Sequence, residues 1–172
     1  METRQPNDFE AVVLPHLDAA HNLARYLVRN EDDAQDVTQQ AVLRALKYFA
    51  SFRGDNPRAW LLAIVCNSAR SWRVDRAAAD VMVEFDEEVH GESAGGDRAD
   101  AALIRAADHE QVRLALDELP AEFREVIVLR ELQDLTYREI ASIVDAPLGT
   151  VMSRLSRARR RLQIALGARK TP

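Results

Sequence analysis

The chain has 172 residues, 47% of them hydrophobic, enough for one ordinary core or two small ones. A single cysteine excludes an internal disulfide and fits a reducing compartment, and the longest apolar run, Ala59 to Cys66, is too short to span a bilayer. The net charge of −5 is a weak argument against a nucleic-acid partner, because eight acids and one base lie between Asp80 and Asp100 while seven bases and no acid lie between Gly149 and Pro172.

Six glycines and six prolines are few, aromatics make up 6%, and Ala, Leu, Arg and Glu recur, so an all-α fold is expected. The opening residues, Met-Glu-Thr-Arg-Gln-Pro, are polar with no apolar signal core behind them, and a cytoplasmic protein is expected. Phe9, Val12, Val13, Leu17, Leu23, Tyr26 and Leu27 suggest a helical pair or one helix bent at Pro15, which removes a backbone donor. Asn30-Glu-Asp-Asp33 reads as a helix start with acids at the positive end of the dipole. Ala34, Val37, Ala41, Ala45 and Phe49 then form one apolar stripe. Ser51 to Asn56 reads as a loop, with Asp55 or Asn56 capping a helix from about Pro57 to Arg76.

Residues 77 to 98 lose apolar periodicity and mix acids with glycines, which predicts a flexible linker, or less readily a short helix from Val81 to Val89. Helices are expected again from Ala99 to Leu119 and from Ala121 to Leu132. Thr136-Tyr-Arg-Glu139 is a capping box before a short helix that buries Ile140, Ala141, Ile143 and Val144. A turn at Asp145-Ala-Pro147 leads to a last helix ending near Leu166. The expected domains are 7–76 and 99–168, joined by the linker 77–98.

The segment from Thr136 to Leu166 carries the strongest chemical signal, a helix-turn-helix pattern with a basic second helix. Val151, Leu155, Ala158, Leu162 and Leu166 share its packing face. Thr150, Ser153, Arg154, Arg157 and Arg161 share another, and Thr150 to Arg157 are the candidates for base edges. The arginine fork can donate to O6 and N7 of guanine together, whereas Arg159, Arg160 and Arg161 suit phosphates.

The runs Leu116 to Arg130, Leu135 to Ala141 and Pro147 to Arg159, with the string Gly149-Thr-Val-Met-Ser-Arg-Leu-Ser-Arg-Ala-Arg159, closely resemble region 4 of the extracytoplasmic-function (ECF) sigma factors, group 4 of the sigma-70 family. The resemblance implies binding of this domain to the −35 promoter element and the β flap of RNA polymerase, with Thr150, Met152, Ser153, Arg154, Arg157, Arg160 and Arg161 toward DNA. The family usually carries Lys or Arg where this chain has Met152. Asp33 to Leu46 resembles the region 2 helix that docks on the β′ clamp coiled coil, which implies polymerase contacts from Asp36, Gln39, Gln40 and Arg44. The usual acid at that site is Gln40 here. Ser51 to Leu61 resembles the loop and helix start that receive a flipped base of the −10 element. That likeness puts Phe52, Arg53, Gly54, Asp55 and Asn56 at the base, and Asn67, Arg70 and Arg73 along the strand. The family usually has bases at the positions of Ala63 and Cys66.

The implied function is an alternative sigma factor, monomeric when free, that binds core RNA polymerase and promoter DNA and is controlled by an anti-sigma factor. The linker acids are further expected to fold onto the basic last helix in the free protein. A stand-alone helix-turn-helix regulator, dimeric on a palindromic site, is the rival reading. No catalytic constellation, metal site or cofactor is expected, His16 and His21 being poorly spaced for one ion. Trp60 is expected in the core, Trp72 is left open between core and base stacking, and Cys66 is expected to be a buried or half-buried thiol.

Overall fold

The fold is a computed structural model that describes residues 6–82 and 100–169. Among the described residues there are helices and no strands. The first bundle contains α1 (Pro6–Val13), α2 (Leu17–Val28), α3 (Glu31–Tyr48) and α4 (Pro57–Met82). The second contains α5 (Asp100–Asp117), α6 (Ala121–Ile127), α7 (Tyr137–Val144) and α8 (Leu148–Arg169).

Pro15 bends the chain as expected: a single 3-10 turn, Leu14–His16, separates α1 from α2. Helix α2 ends on Arg29 in the left-handed conformation, φ 64°, whose N–H still reaches the Arg25 carbonyl. Asn30 caps α3 by accepting the Asp33 amide at 3.1 Å, and three acids follow in the first turn. The stripe of α3 is Ala34, Val37, Ala41 and Ala45, all fully buried, so small side chains let α2 and α4 approach closely. Asn56 caps α4 by accepting the Ala59 amide at 3.0 Å, with Pro57 where no donor is needed.

Helix α4 runs six residues past the expected Arg76, through 77–82, because Ala77-Ala-Ala79 continues the helix despite the acids that follow. The expected linker therefore starts later. Its remaining residues 83–98, the rest of the alternative Val81–Val89 helix and the expected masking of α8 by acids fall outside the described residues.

In the second bundle, α6 packs against α8, and α5 and α7 flank the same helix. The expected single helix from Ala121 to Leu132 changes character at Val128. A π-helical segment, Val128–Leu132, closes with the Gln133 amide on the Val128 carbonyl at 3.1 Å. Asp134 (φ 54°) and Asp145 (φ 50°) take the left-handed turns before α7 and α8, where a short polar side chain is tolerated best. The Thr136–Glu139 capping box forms in both directions, at 3.2 Å and 2.7 Å.

The bundles share one continuous apolar core. Helix α2 touches α5 and α6, and α4 touches α7. At this junction lies Arg124, only 2% exposed. Its guanidinium donates to the carbonyls of Leu119 (2.6 Å), Leu116 (3.0 Å), Asp117 (3.5 Å) and, across the junction, Leu27 (3.5 Å). It therefore supplies donors to carbonyls at and just beyond the end of α5, adding a second donor to the Leu116 carbonyl, which also accepts the Leu119 amide at 3.1 Å.

Candidate nucleic-acid interface

Helix α8 is anchored by Val151, Leu155 and Ala158, which are at most 1% exposed, with Leu162 partly packed behind them. Leu166 is only half-buried, so the expected packing face fades over the last turn. This anchoring turns Met152, Ser153, Arg157, Arg160 and Arg161 outward, with Thr150 and Arg154 half-buried at the edge. The helix start carries no acid in its first turn, and nothing stands within 4 Å of the space over Gly149. The positive end of the dipole is thus open to an anion. Arg154 faces Glu122 at 3.8 Å, too long for a hydrogen bond and exposed enough to exchange for a base. Arg159, expected at phosphate, instead donates to Glu131 at 2.6 and 2.9 Å. Arg161 lies over the Phe123 ring at 4.9 Å.

A second polar surface is formed by residues 53–56 and the outer side of α4. Phe52, expected to meet a base, is placed otherwise: it is 6% exposed, with its ring 4.7 Å from Trp60, and it holds the loop to the core. Trp60 is part of that packing, between Phe52 and Phe49. The Arg53 guanidinium folds back on the Ala50 carbonyl at 2.6 Å and braces the loop. Gly54 and Asp55 are exposed. A Cβ on Gly54 would come within 3.3 Å of the Phe52 ring, so the tight loop favours glycine there. Asn67 is exposed and accepts from Arg70 at 2.8 Å, while Arg73 is half-buried. Trp72 is half-buried beneath Arg76, whose guanidinium lies 5.2 Å above its ring.

Cys66 is fully buried on the inner side of α4. Burial pushes its thiol well above the ordinary range, and the neighbouring Glu125 carboxylate adds to the shift. This environment is the opposite of one that makes a reactive thiolate.

A third surface lies along α3. Asp36, Gln39 and Gln40 are exposed, as a docking role requires. Arg44 is half-buried, and its guanidinium meets the buried Ser68 hydroxyl at 3.3 Å. A groove of about 620 Å³ runs between α2 and α3, lined by Leu17, Asp18, His21, Gln35, Thr38, Gln39, Val42 and Leu43. Leu43 is 65% and Leu46 52% exposed. Sequence reasoning named only the polar residues of this face. Leu43 and Leu46 were legible, since neither falls on the Ala34–Val37–Ala41–Ala45 stripe.

A capped helix-turn-helix with an outward basic face, beside a helical bundle with a polar loop, defines a DNA-binding protein of transcription. Residues 12–78 match the family model for sigma-70 region 2, and residues 109–162 that for sigma-70 region 4. The RNA polymerase sigma-H factor of Pseudomonas aeruginosa is 33% identical over 165 residues, covering 92% of this chain and 86% of the relative. The ECF RNA polymerase sigma-E factor of Escherichia coli is 33% identical over 173 residues, covering 92% and 88%. Among solved structures, the sigma factor RpoE in complex with the anti-sigma factor NepR from Bartonella quintana superposes with a TM-score of 0.77 at 32% identity, covering 94% of this chain and 98% of that one. CnrH in complex with the cytosolic domain of CnrY gives 0.65 at 28% identity, over 95% and 90%. The chain belongs to the extracytoplasmic-function sigma factors of the sigma-70 family.

Proposed function

We propose that this chain directs core RNA polymerase to promoters by reading a −35 element with α8 and a −10 element with the loop 53–56 and α4. The observation that carries the reading is the division of α8. Its apolar side is locked into the second bundle, while Met152, Ser153, Arg154 and Arg157 stand at the groove-facing end, with Arg160 and Arg161 placed for phosphate. Thr150 adds a hydroxyl at the helix start. On the other surface, Gly54, Asp55 and Asn56 offer backbone and side-chain groups to an unstacked base, and Asn67, Arg70 and Arg73 follow the strand. Arg53 acts by bracing the loop, and Phe52 by fixing it from below.

Polymerase docking falls to the α2–α3 groove, where Asp36, Gln39 and Gln40 surround Leu43. An amphipathic helix of the β′ clamp matches such a surface, with leucine into the groove and polar groups at its rim. Arg44 supports that face from beneath. The second bundle takes the β flap. The working domains are 7–76 and 99–168, the first helical through residue 82. The chain carries no chemistry of its own, since polymerase forms the phosphodiester bonds. It works in the cytoplasm as a monomer when free. Among the described residues no helix is long and apolar enough to cross a membrane. An anti-sigma protein is its expected regulator, as the similar RpoE is bound to the anti-sigma factor NepR.

The test is transcription by sigma-free core polymerase on a genomic fragment library, with transcript 5′ ends sequenced. Discrete starts sharing two upstream elements support the reading. DNA binding by the chain without initiation would remove it.

A further inference from the structure

The outward side of α8 has two unlike edges. Thr150, Arg154, Arg157 and Arg161 follow one another three or four residues apart and form one edge. Leu148, Met152, Ser156 and Arg159 repeat that spacing and form the other. The first edge is basic. The second is neutral from Leu148 to Ser156, and Arg159 beyond them is engaged by Glu131 through hydrogen bonds of 2.6 and 2.9 Å. Leu148 is 42% and Met152 51% exposed. Gly149 and Ser153 lie between the edges, and nothing stands within 4 Å of the space over Gly149.

Isolated apolar side chains on a surface are ordinary. Leu148 and Met152 are not isolated: they adjoin at the tip of the helix that the −35 reading puts in the major groove, across from the arginines. Neither has a donor for the O6 and N7 of guanine, or a strong acceptor for the amino group of cytosine. A G·C pair under this edge would lose water from its polar groups and gain no partner. Thymine alone presents a methyl group in the major groove, which buries apolar surface against apolar surface.

We propose that Leu148 and Met152 read thymine methyl groups in the −35 element, with Met152 setting the base preference at its position. The element accordingly places guanine under the arginine edge and an A·T pair, its methyl toward Met152, under the other. The inference rests on the −35 role proposed for α8 and names what that helix reads.

The experiment uses holoenzyme reconstituted from the full chain and sigma-free core polymerase. Promoter duplexes randomised in the upstream element are selected by binding and sequenced. Each thymine of the preferred sequence, on either strand, is then replaced singly by deoxyuridine, which removes the methyl and leaves the pairing edge intact. Filter binding gives the affinities. The expected result is a selected A·T pair at which uracil weakens wild-type binding about fourfold, the contribution of one buried methyl group, and leaves Met152→Ala unaffected. Met152→Ala should also lose the base preference at that pair while keeping guanine where Arg154 and Arg157 act. Wild-type binding indifferent to uracil at every position overturns the proposal, in a measurement that needs no variant to fold. Uracil sensitivity that persists in Met152→Ala overturns it as well. Equal weakening of Met152→Ala on every sequence overturns it by placing the apolar pair against polymerase rather than DNA. A wild-type selection with no upstream preference removes the −35 reading itself, and the proposal with it.

Discussion

Removing the Arg124 guanidinium should destabilise the whole chain, and the size of the effect follows from its four carbonyl partners. Two of its bonds are short, 2.6 Å to Leu119 and 3.0 Å to Leu116, and two are at the limit, 3.5 Å to Asp117 and Leu27. A hydrogen bond to a charged group contributes about 1.5–3 kcal/mol net, and a buried carbonyl left unpaired costs about 1–3 kcal/mol. Counting only the two short bonds, Arg124→Met should cost about 3–5 kcal/mol, a large share of the roughly 5–15 kcal/mol that holds a domain folded. Methionine is chosen because it refills most of the volume, so what remains is the loss of donors and charge. Arg124→Ala should lose somewhat more through the cavity it opens. Urea unfolding followed by circular dichroism measures both. A methionine variant within about 1 kcal/mol of wild type would refute the reasoning, because packing rather than carbonyl satisfaction would then hold the corner.

Thr136→Ala removes the cap of α7 and should lower unfolding stability by about 1 kcal/mol, measured in the same urea titration. The Cys66 thiol is held above its ordinary range, so above about pH 8.5 the unfolded chain loses this proton while the folded chain keeps it. Stability should therefore fall as pH rises through that range, by up to about 1.4 kcal/mol per pH unit from this group, and the difference between wild type and Cys66→Ala should isolate that slope. Leu43→Asp puts a charge on the rim of the α2–α3 groove and should weaken binding to core polymerase by about tenfold or more while leaving the melting temperature within a few degrees, since Leu43 is 65% exposed.

Much of this arrangement is written locally. Asn30, Asn56 and the Thr136–Glu139 pair mark helix starts because a cap needs only its own neighbours within three residues. The exposed side of α8 follows from the spacing of Val151, Leu155 and Ala158. The features that escape sequence reading depend on distant partners. Phe52 beside a polar loop can face a base or the core, and its packing against Trp60 across the loop goes with the core. The π-helical segment at Val128 has no composition of its own; it goes with Gln133 turned inward against Arg58, 75 residues away. Arg124 and Glu125 look like an ordinary charged helix surface until α5 and α4 close over them. The run to Met82 is a different matter, since Ala77-Ala-Ala79 states a helical preference that the nearby acids obscure.

The central claim is that two separate surfaces of one chain read two separate promoter elements. It is tested most directly by mapping transcription starts from a library randomised upstream of one start site, using core polymerase with the wild-type chain, Arg154→Ala or Asn56→Ala. The account predicts that Arg154→Ala relaxes base preference only in the upstream element, and Asn56→Ala only in the element nearer the start. Variants that lower transcription equally from every sequence, or that alter both elements together, would contradict it.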